Sequence, residues 1–294
     1  MLYISTSSIQ TNNIFEAIRQ LLGITRNIEL SGGCLYDDKL LQKLIKVKQQ
    51  EGINFLVHGY FPPPPEHFIL NFADTSKKTR VFLTETMRYV KSLGIGYYSI
   101  HAGFKRTFDF ENELLFESGD KKVFLLENIE SNIEWFVREF SDTKIAVENL
   151  YPNNRNKECC FMMHVDKIVL MMERFSQMYL LLDLGHLKVS SRLLGFDYLE
   201  AAGLLFEKYS DRIVEIHLSE NDAINDSHFP IYSDSAQYAI IKRYAELIKR
   251  NKINVTIEAR NYSSVQELLD SYLLVHDVLT KNSPSTEHKS KSTR

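Results

Sequence analysis

Nine side chains of only two chemical kinds, imidazole and carboxylate, recur along the chain at His58, His101, Glu148, Asp183, His186, His217, Asp226, His228 and Glu258. Each is a competent metal ligand. Carboxylates and imidazoles contributed by separate segments are what a divalent cation needs to complete its coordination without a local motif. A carboxylate beside such an ion can also move a proton, as general acid or base. A single His or acidic residue at a strand end is more often structural, through a hydrogen bond or a helix cap. With 38 Asp+Glu and nine His in 294 residues, six consecutive strand ends each carrying one by chance is improbable. The remaining histidines, His67, His164, His276 and His288, have no such placement and are left out.

The elements that must position these residues are short apolar or β-branched runs at 2–6, 27–30, 54–60, 96–101, 144–149, 179–186, 212–218 and 254–259. Several are apolar at nearly every residue, as expected of strands covered on both faces. Segments of helical periodicity alternate with them. Ile14, Ala17, Ile18, Leu21 and Leu22, for example, share one helical face. Eight strand-then-helix units without a composition break predict a single (β/α)8 TIM barrel over 1–281, followed by a disordered tail, 282–294. A doubly wound open sheet is the alternative, but STSSIQTN after the first strand is not a glycine-rich phosphate loop. In a parallel barrel the ligand-type residues converge on one rim, where active sites form. Two long irregular stretches, 59–76 with four consecutive prolines and 102–121, both follow strands and are expected to build that site.

Composition narrows the partners. Thirty-five Lys+Arg against 38 Asp+Glu leave a net charge of -3, so no bulk basic field favours nucleic acid. No apolar run is long enough to span a membrane, and the N-terminus lacks a signal-peptide pattern. Three cysteines, two of them adjacent at Cys159 and Cys160, make no disulfide framework. A cytoplasmic protein is expected.

The ordered ligand set, together with NIELSGG (27–33), LLLDLGH (180–186), EIHLSENDAINDSH (215–228) and TIEAR (256–260), resembles the xylose-isomerase-like TIM-barrel superfamily. That superfamily holds sugar isomerases and epimerases as well as endonucleases of the endonuclease IV type. The epimerase-like resemblance implies one divalent metal on Glu148, Asp183, His217 and Glu258, with His186 contacting the sugar. Glu148 and Glu258 would then remove and return a proton through a metal-stabilised enediolate. The endonuclease-like resemblance implies three zinc ions. His58, His101 and Glu148 would hold one, Glu148, Asp183, His217 and Glu258 a second, and His186, Asp226 and His228 a third. The cofactor expected is therefore a divalent metal, zinc or manganese, at one to three ions per chain.

The loops favour the small-molecule reading. SGGCLYDDK after strand two is acidic where a DNA-gripping enzyme would want Arg. His101-Ala102-Gly103 departs from the His-Pro-Gly of the endonucleases, and His58-Gly59-Tyr60-Phe61 departs from their Ala-Pro-Tyr motif. Lys105, Arg106, Lys121 and Lys122 are too few for a duplex-binding track. Tyr60, Phe104 and their aromatic neighbours suit a water-excluding wall, and Arg260 suits an anionic group on the substrate. Glu29 is read as a carboxylate supporting the rim. The resulting expectation is a metal-dependent sugar or sugar-phosphate isomerase/epimerase with a small carbohydrate as partner, compatible with a homo-oligomer. A zinc phosphodiesterase is the alternative, and a barrel kept only as a binding scaffold is the third reading.

Overall fold

The computed structural model describes residues 1–105, 123–152 and 158–281. Most of the expected loop 102–121 and the whole tail 282–294 lie outside the described residues. In chain order the elements are β1 (Leu2–Ser5), α1 (Ile14–Leu21), β2 (Asn27–Leu30), α2 (Leu40–Glu51), β3 (Asn54–Val57) and α3 (Lys77–Ser92). They continue with β4 (Tyr97–His101), α4 (Leu126–Glu139), β5 (Lys144–Glu148), α5 (Val165–Arg174), β6 (Met178–Asp183) and α6 (Leu184–Leu194). The chain closes with α7 (Tyr198–Tyr209), β7 (Ile213–Leu218), α8 (Ala236–Asn251), β8 (Asn254–Ile257) and α9 (Val265–Thr280).

All eight strands are parallel, in the order β3-β2-β1-β8-β7-β6-β5-β4. The two ends of this sheet meet at a bridge between His58 and Ser99, where Gly59 N donates to Ser99 O at 2.9 Å. A ligand-type histidine thus sits at the seam of the barrel. This is the single (β/α)8 barrel that the alternation of patterns predicts.

The helices form for local reasons. The Asn13 side chain caps α1 by accepting from Phe15 N and Glu16 N, and Ile14, Ala17, Ile18 and Leu21 bury the face that the sequence periodicity marked. Truncating Ile18 or Leu21 to Ala would cost about 2–5 kcal/mol, as for other fully buried aliphatics.

Strand periodicity does the remaining sorting. Side chains alternate between the barrel interior and the helix layer. Glu215 and His217 therefore point inward from β7, while Ile216 and Leu218 pack outward.

All strands but β2 are shorter than the sequence runs, and β6 shows why. The run 179–186 reads as one strand, yet the chain turns helical at Leu184. Asp183 is the cap of α6, its carboxylate accepting from His186 N at 2.7 Å. Gly185 permits this turn, because a Cβ there would lie 2.8 Å from Ser219 O. His186 consequently projects from the first turn of a helix.

A second irregularity decides the register. Leu180 pairs with Ile213, but Leu181 pairs with Glu215, so one residue of β7, Val214, is bulged out. Without that insertion Asp183 would face Ile216. With it, Asp183 faces His217.

Candidate metal centre

The register of neighbouring strands sets His101 beside Glu148 and Asp183 beside His217. His58 follows β3 directly, and Glu258 follows β8 directly. Asp226 and His228 come from the loop after β7, which returns to the barrel through paired backbone bonds between Glu220 and Phe229. The structure brings all nine ligand-type residues to the same end of the barrel. His58, His101, Glu148, His186, Asp226, His228 and Glu258 line one cavity of about 570 Å³ together with Tyr60, Phe104 and Arg260. Asp183 and His217 are fully buried beneath it.

Four of the five histidines are anchored by one ring nitrogen and point the other at a carboxylate. His58 Nδ1 hydrogen-bonds Ser99 Oγ at 3.1 Å, which leaves Nε2 at 3.3 Å from Glu148 Oε2. His186 Nδ1 donates to Asn149 O at 2.9 Å, and its Nε2 lies 3.4 Å from Asp226 Oδ2. His228 Nδ1 donates to Glu258 O at 2.9 Å, and its Nε2 lies 2.6 Å from the same Asp226 oxygen. His217 is reversed. Its Nε2 donates to Glu29 Oε2 at 3.0 Å, so Nδ1 faces Glu258 Oε2 at 3.4 Å and Asp183 Oδ2 at 4.0 Å. Fixing one nitrogen so that the other is free is how proteins present imidazole to a metal.

Three groups of potential ligand atoms overlap around this rim: His58, His101 and Glu148; Glu148, Asp183 and His186; and Asp183, His217 and Glu258. Within each group the atoms lie within 4.8 Å of one another. The first is an expected grouping, whereas the last holds three of the four residues expected together, Glu148 grouping instead with His58 and His101 and with Asp183 and His186. Asp226 Oδ2 lies near both His186 and His228, but these three are not one of the groups. A deeper group, Glu29, His58 and His217, lies below.

The donor set fits a divalent cation. Glu148 Oε2, Asp183 Oδ2, His217 Nδ1, Asp226 Oδ1 and Glu29 Oε1 are buried atoms of this cluster without a hydrogen-bond partner. Buried carboxylate oxygens left this way are costly unless a cation satisfies them.

The electrostatics show the same strain. Burial pushes the Glu29 carboxyl up to about 8 and the Asp183 carboxyl up to about 6. Burial would also raise Glu148, but His101, His58 and His186 around it hold it at about 2. Burial would lower the His217 imidazolium, yet Glu29 and Glu258 outweigh it and push it well above the usual histidine range. In this balance the proton on His217 compensates the charge that a cation would otherwise neutralise, so metal binding must displace protons.

Several supporting residues have clear roles. Asn149 clamps the ends of β5 and β6, accepting from Asp183 N at 2.8 Å and donating to Asp183 O at 3.0 Å. Glu29, expected at the rim, is instead fully buried beneath it, where it accepts from His217 Nε2. Glu215 was not singled out, although it precedes His217 by two and therefore shares its face. It is fully buried and accepts from Thr256 Oγ1 at 2.5 Å and from Ser99 Oγ at 3.4 Å, linking the anchor of His58 to His217, whose Nε2 lies 3.6 Å from Glu215 Oε1. Tyr151, also unsignalled, lies in an aperiodic loop, with its ring centroid 4.8 Å from that of His186. Of the histidines set aside, His164 caps α5 and His276 lies in α9. Tyr60 both lines the cavity and stacks on Phe82, and Phe61 and Phe72 are core. Arg106, Lys121 and Lys122 lie outside the described residues.

A sequence profile described as "Xylose isomerase-like TIM barrel" matches residues 25–270. The chain belongs to that family. Among solved structures, this xylose isomerase-like barrel is similar to a D-tagatose 3-epimerase-like protein at 16% identity, covering 95% of this chain and 96% of that one with a TM-score of 0.67. It is also similar to an AP endonuclease, family 2, from Brucella melitensis at 13% identity, covering 90% and 95% with a TM-score of 0.63. A third relative is IOLI protein, whose structure has a binding zinc atom, at 16% identity, 95% and 97% coverage and a TM-score of 0.58. At these identities the likeness establishes the fold. No curated protein matches the sequence. No helix among the described residues is long and apolar enough to cross a membrane.

Proposed function

We propose that this barrel is a divalent-metal-dependent isomerase or epimerase of a sugar or sugar phosphate. The observation that carries the reading is the placement of two glutamates. Glu148 ends β5 and Glu258 follows β8, Asp183 and His217 lie between them on β6 and β7, and both glutamates line a cavity sized for one small polar molecule. Epimerases among the similar structures support it at the level of the superfamily.

Glu148, Asp183, His217 and Glu258 would hold the ion, zinc or manganese. A divalent cation there supplies Lewis-acid stabilisation of negative charge developing on adjacent carbonyl and hydroxyl oxygens. The chain's own groups do the rest. The Glu258 carboxylate, held well below its usual range by His217, Arg260 and His228 despite its burial, takes the proton from the carbon between those oxygens. Glu148, ionised in the resting site, returns a proton only after taking one up, and the reverse reaction exchanges the two roles. His186 contacts a sugar hydroxyl through Nε2, because its Nδ1 proton is committed to Asn149 O. Tyr60 and Phe104 wall off water.

Arg260 is the one Lys or Arg among the described residues that line the cavity, so an acidic or phosphorylated end docks there. That single cation also gives nucleic acid little to bind. Solvent-deuterium exchange into ketoses and aldoses tests the reading. Metal-dependent exchange is expected in the native protein and about 10³-fold slower in Glu148→Gln and Glu258→Gln. Failure of every sugar to exchange refutes it.

One observation favours a second reading, a multinuclear zinc phosphodiesterase of the endonuclease IV type. Asp226 reaches both His186 and His228, as a further ion site would require. Elemental analysis separates the two. About three zinc ions per chain, with cleavage of an abasic duplex, would support the hydrolase, and a single ion would support the isomerase.

A further inference from the structure

Cys159 and Cys160 lie on the wall of the same cavity and belong to none of the ligand groups. Adjacent cysteines are an unfavourable pair in sequence, because their Cα atoms are about 3.8 Å apart and a relaxed disulfide prefers about 4.4–6.8 Å. Here the two sulfurs are already 3.3 Å apart. The residues are only 3% and 6% exposed, so the cavity is their route to a small reagent.

The backbone on either side is pinned. Lys105 N donates to Cys159 O at 2.9 Å, Phe161 N donates to Gly103 O at 3.0 Å, and Phe104 and Cys160 form an antiparallel bridge. Gly103 has φ +93°, and a Cβ there would meet Asn71 Oδ1 at 2.3 Å. The Asn71 side chain in turn accepts from Phe104 N at 2.9 Å and donates to Phe104 O at 3.0 Å. The dithiol is therefore held by the segment that carries the aromatic wall, and any change in its geometry is felt at Phe104.

We propose that Cys159 and Cys160 are a reversible thiol–disulfide pair in the cavity wall, closed by exchange with a small-molecule disulfide. Cys159 attacks one sulfur of the disulfide RSSR, forming a mixed disulfide and releasing one RSH. Cys160 then attacks the Cys159 sulfur, the Cys159–Cys160 bond forms, and the second RSH leaves. The two protein thiols are oxidised by two electrons, and RSSR is reduced to two RSH with the two protons. The hydrogen bond with Cys159, and then burial, push the Cys160 thiol well up, so Cys160 passes its proton to the departing RS⁻ as it closes the bond. The short Cα separation strains the closed form, which makes it easily reduced again.

The test uses oxidised glutathione on the folded protein and mass analysis of the tryptic peptide 158–167, which carries both cysteines. The expected result is a loss of two hydrogens from that peptide, with no glutathione retained, reversed by dithiothreitol. In Cys160→Ser the mixed disulfide has nothing to resolve it, so one glutathione stays on Cys159. An unchanged native peptide at excess oxidant, a stable glutathione adduct on it, or disulfide-linked dimers through it would overturn the proposal. None of these readouts depends on the isomerase reading.

Discussion

The floor and the rim of the candidate site use the same residue types but hold them differently. On the floor, Glu29, Asp183, Glu215 and His217 are fully buried and come from strands whose ladder register sets their positions. On the rim, His101 has 47% of its side chain exposed, and Asp226, His228 and Arg260 ride on loops. Those loops are fixed by a few backbone bonds, such as Arg260 N and Asn261 N to His228 O at 2.8 and 3.0 Å. A ladder constrains every atom along its length, whereas a loop fixed at a few points can change without unfolding the barrel. The floor is thus suited to chemistry that tolerates no misplacement, and the rim to choosing what enters.

Substitutions can break or sharpen this contrast. Glu148→Gln and Glu258→Gln, which remove the proton carriers between the two layers, should lower solvent-deuterium exchange by about 10³-fold with an unchanged circular dichroism spectrum. A residual rate near wild type would remove these carboxylates from the chemistry.

Glu29→Gln disturbs only the floor. It should weaken metal binding about 10–100-fold by loosening His217, with activity recovering at saturating metal. An affinity within twofold of wild type, measured by competition with a chromogenic chelator, would mean that Glu29 does not orient that ligand.

On the rim, Asp226→Asn should lower exchange by about tenfold, since weakening its contacts with His186 and His228 costs about 1.5 kcal/mol. A collapse of activity together with the loss of a metal ion would shift the reading to the multinuclear hydrolase. Arg260→Ala should act least. KM for an acidic or phosphorylated sugar should rise severalfold, and neutral sugars should be unaffected. Equal effects on both substrate classes would remove Arg260 from anion recognition.

The same contrast explains what was legible in the sequence. His58, His101, Glu148, His217 and Glu258 could be read from position, because the alternation of strand and helix puts strand ends at one rim. Glu215 shares the face of His217 and carried a signal in its two-residue spacing, but a carboxylate inside an apolar strand has no local partner to explain it. Its partners, Thr256 and Ser99, come from β8 and β4. The strand-to-helix switch at Asp183 was hidden in an unbroken apolar run, because the cap that ends the strand is also a ligand-type residue. Tyr151 carried no signal, since a loop has no period.

By itself the sequence determined the barrel, the chemistry of the donor set and the end of the barrel where it gathers, because hydrophobic periodicity and residue type are local properties. Only the tertiary structure decided which donors meet. The bulge at Val214 turns Asp183 towards His217, the seam places His58 against Ser99, and the segment paired with Gly103–Lys105 brings Cys159 and Cys160 to the cavity wall. Each of these depends on register between segments distant in the chain, and a slip of one residue would send the side chain to the opposite face.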